Sequence, residues 1–440
     1  MLAAHPASST RPLARPSVRR VDASLGILMG FLLPLVAALL YRTYALSLSS
    51  TWLEMTRQLG APFVAGELAI ILYARHRGLA LDALWRRIDR PARWALAAFL
   101  GTFWISSVFV SWFASFSAAL CLIWAIHFLT AAAVFHLVEG EVARGGFAAD
   151  RFAFGFALGL VALTPIAGFH LAHAPADQGP STWIFGAPIP GFISIRLFGA
   201  WAGAVLALLL GLAWTSDRQG EGLPSWVYPA MALAAGLVVW TGTRASVFGA
   251  IVALMGAAVA TRGVAGRKFW IKTAVAIVVG TALTVLLLPS HPNMGLLFRP
   301  EAMQSADGFS SGRLELWTKS LAVAVDRPWL GHGMGSSWWL VSLGGHYHVQ
   351  PHNALVQFLL NWGVVPTAAA LFLLGSARWR IHGIVRRRPA LLALAMMLDF
   401  LLAASMLDGM LHFTRFVMLI AVLVAVCLAS DRADAVATAG

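Results

Sequence analysis

The sequence predicts an all-α, polytopic membrane protein, and three observations carry that expectation. Of its 440 residues, 59% are apolar and 12% charged, with a mean hydropathy of +0.76, a balance that ordinary water-soluble domains do not show. The apolar residues fall in runs of roughly 20, the length a helix needs to cross a bilayer. The alternating pattern of a membrane barrel is absent, and a backbone in hydrocarbon must satisfy its polar groups within its own segment, so the runs read as helices.

Taken in order, the expected spans are 23–42, 59–75, 94–112, 115–137, 152–173, 196–215, 225–241, 245–262, 270–289, 354–376, 390–407 and 411–430. They divide the chain into a tail (1–22), nine helices (23–289), a loop domain (290–353), three helices (354–430) and a second tail (431–440). Arg11, Arg15, Arg19 and Arg20 precede the first run, which is long for a signal peptide and has no convincing cleavage site, so it is expected to remain as a span. An even number of spans puts both termini on one side. The N-terminal arginines, the loop carrying Arg75, Arg77, Arg86, Arg87, Arg90 and Arg93, and the cluster from Arg378 to Arg388 all fall there, which makes that side the cytoplasm. The same placement accounts for the net charge of +13 without nucleic acid as a partner. Topology leaves Arg42, Arg57, Arg196, Arg244, Arg299, Arg313, Arg327, Arg415 and Lys319 unexplained on the outer side. Cys121 and Cys427 both lie inside apolar runs, so they read as packing residues and not as a disulfide or a thiolate metal site.

Two outer segments exceed a simple turn: the Pro- and Gly-rich stretch 174–195 and the long loop 290–353. In the second, Ser310-Ser311-Gly312 looks like a helix start. Leu314, Trp317, Leu321 and Val325 follow at helical spacing until Asp326-Arg327-Pro328 ends the run, which predicts an amphipathic helix near the membrane surface. Gly331-His332-Gly333-Met334-Gly335-Ser336 reads as a flexible turn, and Gly344-Gly345 as a second break.

The residues that could carry chemistry collect around this loop. His352, in Pro351-His352-Asn353-Ala354-Leu355-Val356-Gln357, stands where the loop re-enters the bilayer; a neutral imidazole there could take a proton from a sugar hydroxyl, or could merely cap or flank the helix. Arg196 and Arg244 sit at span ends, where a guanidinium either faces the bundle and binds phosphate oxygens or snorkels to lipid headgroups. Arg313, at the start of the loop helix, is a third cation of this kind. No closely spaced pair of acids suggests a Mg²⁺ or Mn²⁺ diphosphate site, and His332, His346, His348 and His352 match no zinc spacing, so no metal or other cofactor is expected. Ser246, Ser310 and Ser311 lack a nucleophile elbow, and the Gly331–Gly335 turn lacks the ending of a P-loop. Most of the 18 tryptophans fit an aromatic belt at span ends; Trp338 and Trp339, inside the loop, are the exceptions.

The order of signals Arg313-Leu314-Glu315-Leu316-Trp317, then Asp326-Arg327-Pro328-Trp329-Leu330-Gly331-His332-Gly333, then His352-Asn353 through Gln357 to Gly363 resembles the O-antigen ligase and polymerase superfamily of bacterial membrane glycosyltransferases. The resemblance implies a GT-C-like helical bundle whose long periplasmic loop roofs a lipid-accessible cavity. It further implies metal-independent, inverting transfer of a glycan from undecaprenyl diphosphate to a lipid A-core sugar hydroxyl. On it, His352 matches the general base, Arg196 and Arg244 match the arginines that hold the diphosphate, and Arg313, Asn353, Gln357 and Trp338 are expected to contact substrate. An O-antigen polymerase, a protein O-oligosaccharyltransferase and a lipid-linked glycan flippase are the alternatives. Absence of inverted repeats speaks against the last.

Overall fold

A computed structural model of the chain describes residues 21–35, 64–110, 114–145, 147–173, 192, 195–289 and 312–439, and the described part is almost wholly helical. The helices are α1 (Val21–Ile27, extended by a π turn, Leu28–Leu32), α2 (Val64–His76), α3 (Leu81–Arg87), α4 (Arg90–Ile105), α5 (Ala114–Gly145), α6 (Ala149–Ala172), α7 (Ile195–Gln219), α8 (Val227–Trp240), α9 (Arg244–Thr261) and α10 (Arg267–Leu287). After the loop helix α11 (Arg313–Val325) come a short turn α12 (Ser337–Leu340), a two-residue hairpin (Ser342–Leu343 with His346–Tyr347), α13 (Ala354–Trp362), α14 (Val364–Arg387), α15 (Leu392–Ala404) and α16 (Thr414–Ala439). Among the described residues, seven helical segments are long and apolar enough to cross a membrane by length and composition, and Ser24–Leu35, Val227–Trp240 and Pro389–Ala404 are shorter apolar helices at further expected spans. The chain is an all-α polytopic membrane protein. Residues 1–20 of the expected first tail, residues 36–63 with parts of the first two expected spans, most of 174–195 and 290–311 lie outside the described residues.

The bundle is organised around α7, whose hydrophobic window is 94% buried. Ala, Gly and Leu dominate it, and α6, α8, α9 and α15 pack around it. Between helices in lipid, small residues stabilise association by letting backbones approach. Gly26 and Gly30 of the first helix face Gly155 and Gly159 of α6 so closely that a Cβ on any of the four would strike the opposite backbone. Gly236 of α8 and Gly280 of α10 do the same for the pair α8–α10.

Two features of the loop domain differ from the sequence expectation. The expected span 354–376 is broken at Gly363, whose φ of 77° suits glycine and not residues with a side chain. Its first half, α13, packs on the loop helix α11, and its second half continues as α14. The Gly331–Ser336 turn is buried and clasped where a flexible turn was expected. His332 N–H donates to Leu360 O (2.9 Å) and Gly333 N–H to Asn361 O (2.8 Å). Gly331, with φ 63°, lies against the Asn361–Trp362 backbone with no room for a Cβ. The glycines there permit close approach and left-handed backbone; mobility is not their use.

Candidate functional site

The site forms where α11, the start of α13 and the α15–α16 turn meet. Asn353 caps α13, its side-chain oxygen accepting from Val356 N–H at 3.1 Å. The next amide, Ala354 N–H, donates to Ser405 O at 2.9 Å, which ties the helix start to the end of α15. From the loop helix, Trp317 Nε1–H donates to Pro351 O at 2.8 Å. Fixed on both sides, His352 adopts φ 54°, a left-handed conformation that costs a residue with a Cβ about 1–2 kcal/mol. Strain of this kind persists only where the surroundings over-determine it, and it gathers at functional sites.

The imidazole meets a carboxylate. His352 Nδ1 lies 3.2 Å from Asp408 Oδ1, and the Nη2 of Arg313 lies 3.5 Å from that same oxygen. Arg313 Nη1 also donates to the carbonyl of Leu407. Asp408 is 6% exposed at its side chain and His352 23%, so the carboxylate is sealed while part of the ring stays reachable. Burial lowers the pKa of His352; the hydrogen bond to Asp408 opposes that, and the charges of Arg313 and Arg196 add to the lowering. Burial works to raise the carboxyl of Asp408, yet the Arg313 charge, the His352 hydrogen bond and the Arg196 charge hold it at about 2. The arrangement keeps Asp408 ionised and His352 neutral, with Nδ1–H donated to the carboxylate and Nε2 left as the basic nitrogen.

The structure thus brings together three residues named from the sequence, His352, Arg313 and Arg196, with one that sequence reasoning did not assign, Asp408. An acid beside an apolar segment is a functional candidate by default, but 56 residues separate Asp408 from His352, and no local motif joins them. Arg244 opens α9 beside the opening of α7. Thr243 Oγ1–H donates to Arg196 O (3.3 Å) and Ser246 Oγ–H to Gly199 O (3.1 Å), so the backbones bearing Arg196 and Arg244 are bound to each other. Gln357 is buried in α13, its carboxamide nitrogen 3.0 Å from Nδ1 of His412. Trp338 is half-buried against the main core, and Asn353 is engaged as the helix cap.

A helical membrane protein that gathers an imidazole, a carboxylate and two guanidinium groups at one end of its bundle is the class that this fold and site define. Residues 229–371 match the family model described as O-antigen ligase, a segment running from α8 through Arg244, Arg313 and His352 into α14. The chain is similar to an O-antigen ligase of Pseudomonas aeruginosa, 27% identical over 228 residues that cover 51% of this chain and 50% of that protein. The chain therefore spans about half the length of the curated relative it matches.

Proposed function

We propose that the protein is an O-antigen ligase of the bacterial inner membrane, acting at its periplasmic face. It transfers a glycan from undecaprenyl diphosphate to a sugar hydroxyl of lipid A-core. The observation that carries this reading is the His352–Asp408–Arg313 cluster, inside a chain that resembles a ligase across the segment bearing two of those residues.

Asp408 holds His352 in the tautomer whose Nε2 accepts the acceptor hydroxyl's proton as that oxygen attacks the anomeric carbon. The bond from that carbon to the diphosphate oxygen breaks on the opposite face, inverting the centre and releasing undecaprenyl diphosphate. Negative charge grows on the leaving oxygen, and Arg196 and Arg244, opening adjacent helices, would bind the diphosphate and stabilise it. Arg313, Asn353, Gln357 and Trp338 would orient the sugars. The chemistry is expected to proceed without a metal, which turnover unchanged by a chelator would support.

A strain deleted for the gene and complemented with His352→Ala tests the assignment. Uncapped lipid A-core beside accumulating lipid-linked glycan is the expected outcome, with the variant present in the membrane at wild-type level. A cap of a single repeat on deletion would identify a polymerase instead, and normal capping by His352→Ala would reject His352 as the base.

A further inference from the structure

A groove of about 800 Å³ follows the seam between α8 and α10, and nothing in the proposed transfer uses it. It runs from Tyr228 and Lys272 past Ala232 and Val279 to Leu287, with Thr164 of α6 flanking it. Apart from Lys272, Tyr228 and a few threonine hydroxyls, its lining is apolar. Val275, Val279, Leu283 and Leu287 of its wall are between 45% and 75% exposed, which in a membrane protein means exposed to acyl chains. The close Gly236–Gly280 approach holds α8 and α10 as one unit along this wall.

The groove has a polarity. α7 opens at Arg196 and α9 at Arg244, so the turns leading into α8 and α10 lie at the other end of the bundle. Tyr228 and Lys272 therefore mark the end away from His352. There Lys272 Nζ sits 5.5 Å from the centre of the Tyr228 ring, exposed, with Arg267 and Lys268 one turn before it in α10. In the turns that lead into α8 and α10 the acids are Asp217, which accepts from Gly266 N–H at 2.6 Å, and Glu221. Arg218 reaches the carbonyl of Val264. The charge beside the groove mouth is thus positive, and an apolar channel ending at a cation fits a lipid whose phosphate stays at that membrane surface.

We propose that this groove is a binding site for an anionic phospholipid, with one acyl chain along the α8–α10 seam and the phosphate at Lys272. A polyprenyl diphosphate held by Arg196 and Arg244 would carry its phosphates at the opposite end, so this site is distinct from the donor site. Electrostatic attraction of one lysine for an anionic headgroup corresponds to about a fivefold preference.

Thermal unfolding of the purified full-length chain in detergent, titrated with dioleoyl phosphatidylglycerol, dioleoyl phosphatidylcholine or sodium phosphate, tests it, because a ligand bound to the folded state raises Tm with its concentration. Phosphatidylglycerol should act at about one-fifth the concentration that phosphatidylcholine needs, and inorganic phosphate should do nothing. Lys272→Gln should erase the preference, whereas Lys268→Gln should leave most of it. Val279→Trp, which fills the groove at an exposed wall position, should weaken both lipids. Equal potency of the two lipids, a shift with phosphate alone, or an equal loss in Lys268→Gln would each overturn the proposal.

Discussion

Replacing Asp408 by asparagine removes one charge from the site while keeping its shape, and the structure sets the size of the consequence. A carboxyl held at about 2, against an ordinary value near 3.9, contributes to stability roughly 1.4 kcal/mol for each tenfold change in its dissociation constant, or about 2–3 kcal/mol here. Because its pKa is depressed in the folded state, that contribution is present above the unfolded value and is lost as pH falls through about 2. Asp408→Asn should therefore lower Tm in detergent at neutral pH and not at pH 2. The catalytic effect should be larger. A carboxamide can turn its NH₂ toward Nδ1, which would favour the tautomer with the proton on Nε2 and remove the base; a general base contributes about 10²–10⁴ in rate. In a transfer assay with purified protein, kcat should fall by that factor while KM for the donor changes little. A kcat within twofold of wild type would refute the proposed orientation of His352 by Asp408.

Activity of the wild type should fall on the acid side with a midpoint below the ordinary histidine value near 6.5, since burial together with Arg313 and Arg196 lowers the pKa of His352; Arg313→Met removes one lowering charge and should move that limb to higher pH in a rate-against-pH profile. His352→Gly should be as inactive as His352→Ala yet more stable by about 1 kcal/mol, because φ 54° strains alanine and not glycine; equal Tm values would argue that the strain is absent. Gly331→Ala should lower Tm and activity together by forcing the clasp off Asn361 and Trp362, with normal behaviour of that variant reinstating a flexible turn. Gly155→Leu should destabilise the bundle at the α1–α6 contact, seen as loss of protein from the membrane fraction, with activity per molecule largely kept in what survives.

The fold class was legible because lipid imposes one strong rule, apolar runs of spanning length, and α7, α9 and α10 follow it. The loop helix Arg313–Val325 was equally legible, since its apolar spacing and its Asp-Arg-Pro stop are local signals. The break at Gly363 was not: a glycine inside an apolar run looks the same whether the helix bends or continues, and the left-handed backbone there is imposed by packing against Trp329 and Leu330. The clasped Gly331–Ser336 turn escaped for the same reason, its partners being the end of α13. At the site, His352 and Arg313 stood out by position and type. Asp408 was visible as an acid between apolar runs, but its pairing with His352 became readable only once the fold closed α15 and α16 over the loop, because a pair formed across 56 residues leaves no spacing pattern.

Purified wild type and His352→Ala, assayed side by side for transfer of a defined glycan from undecaprenyl diphosphate to lipid A-core with and without chelator, test the central claim most directly. The wild type should transfer the glycan with no response to chelator, and the variant should lose at least about 10²-fold. Transfer by His352→Ala at the wild-type rate would contradict it.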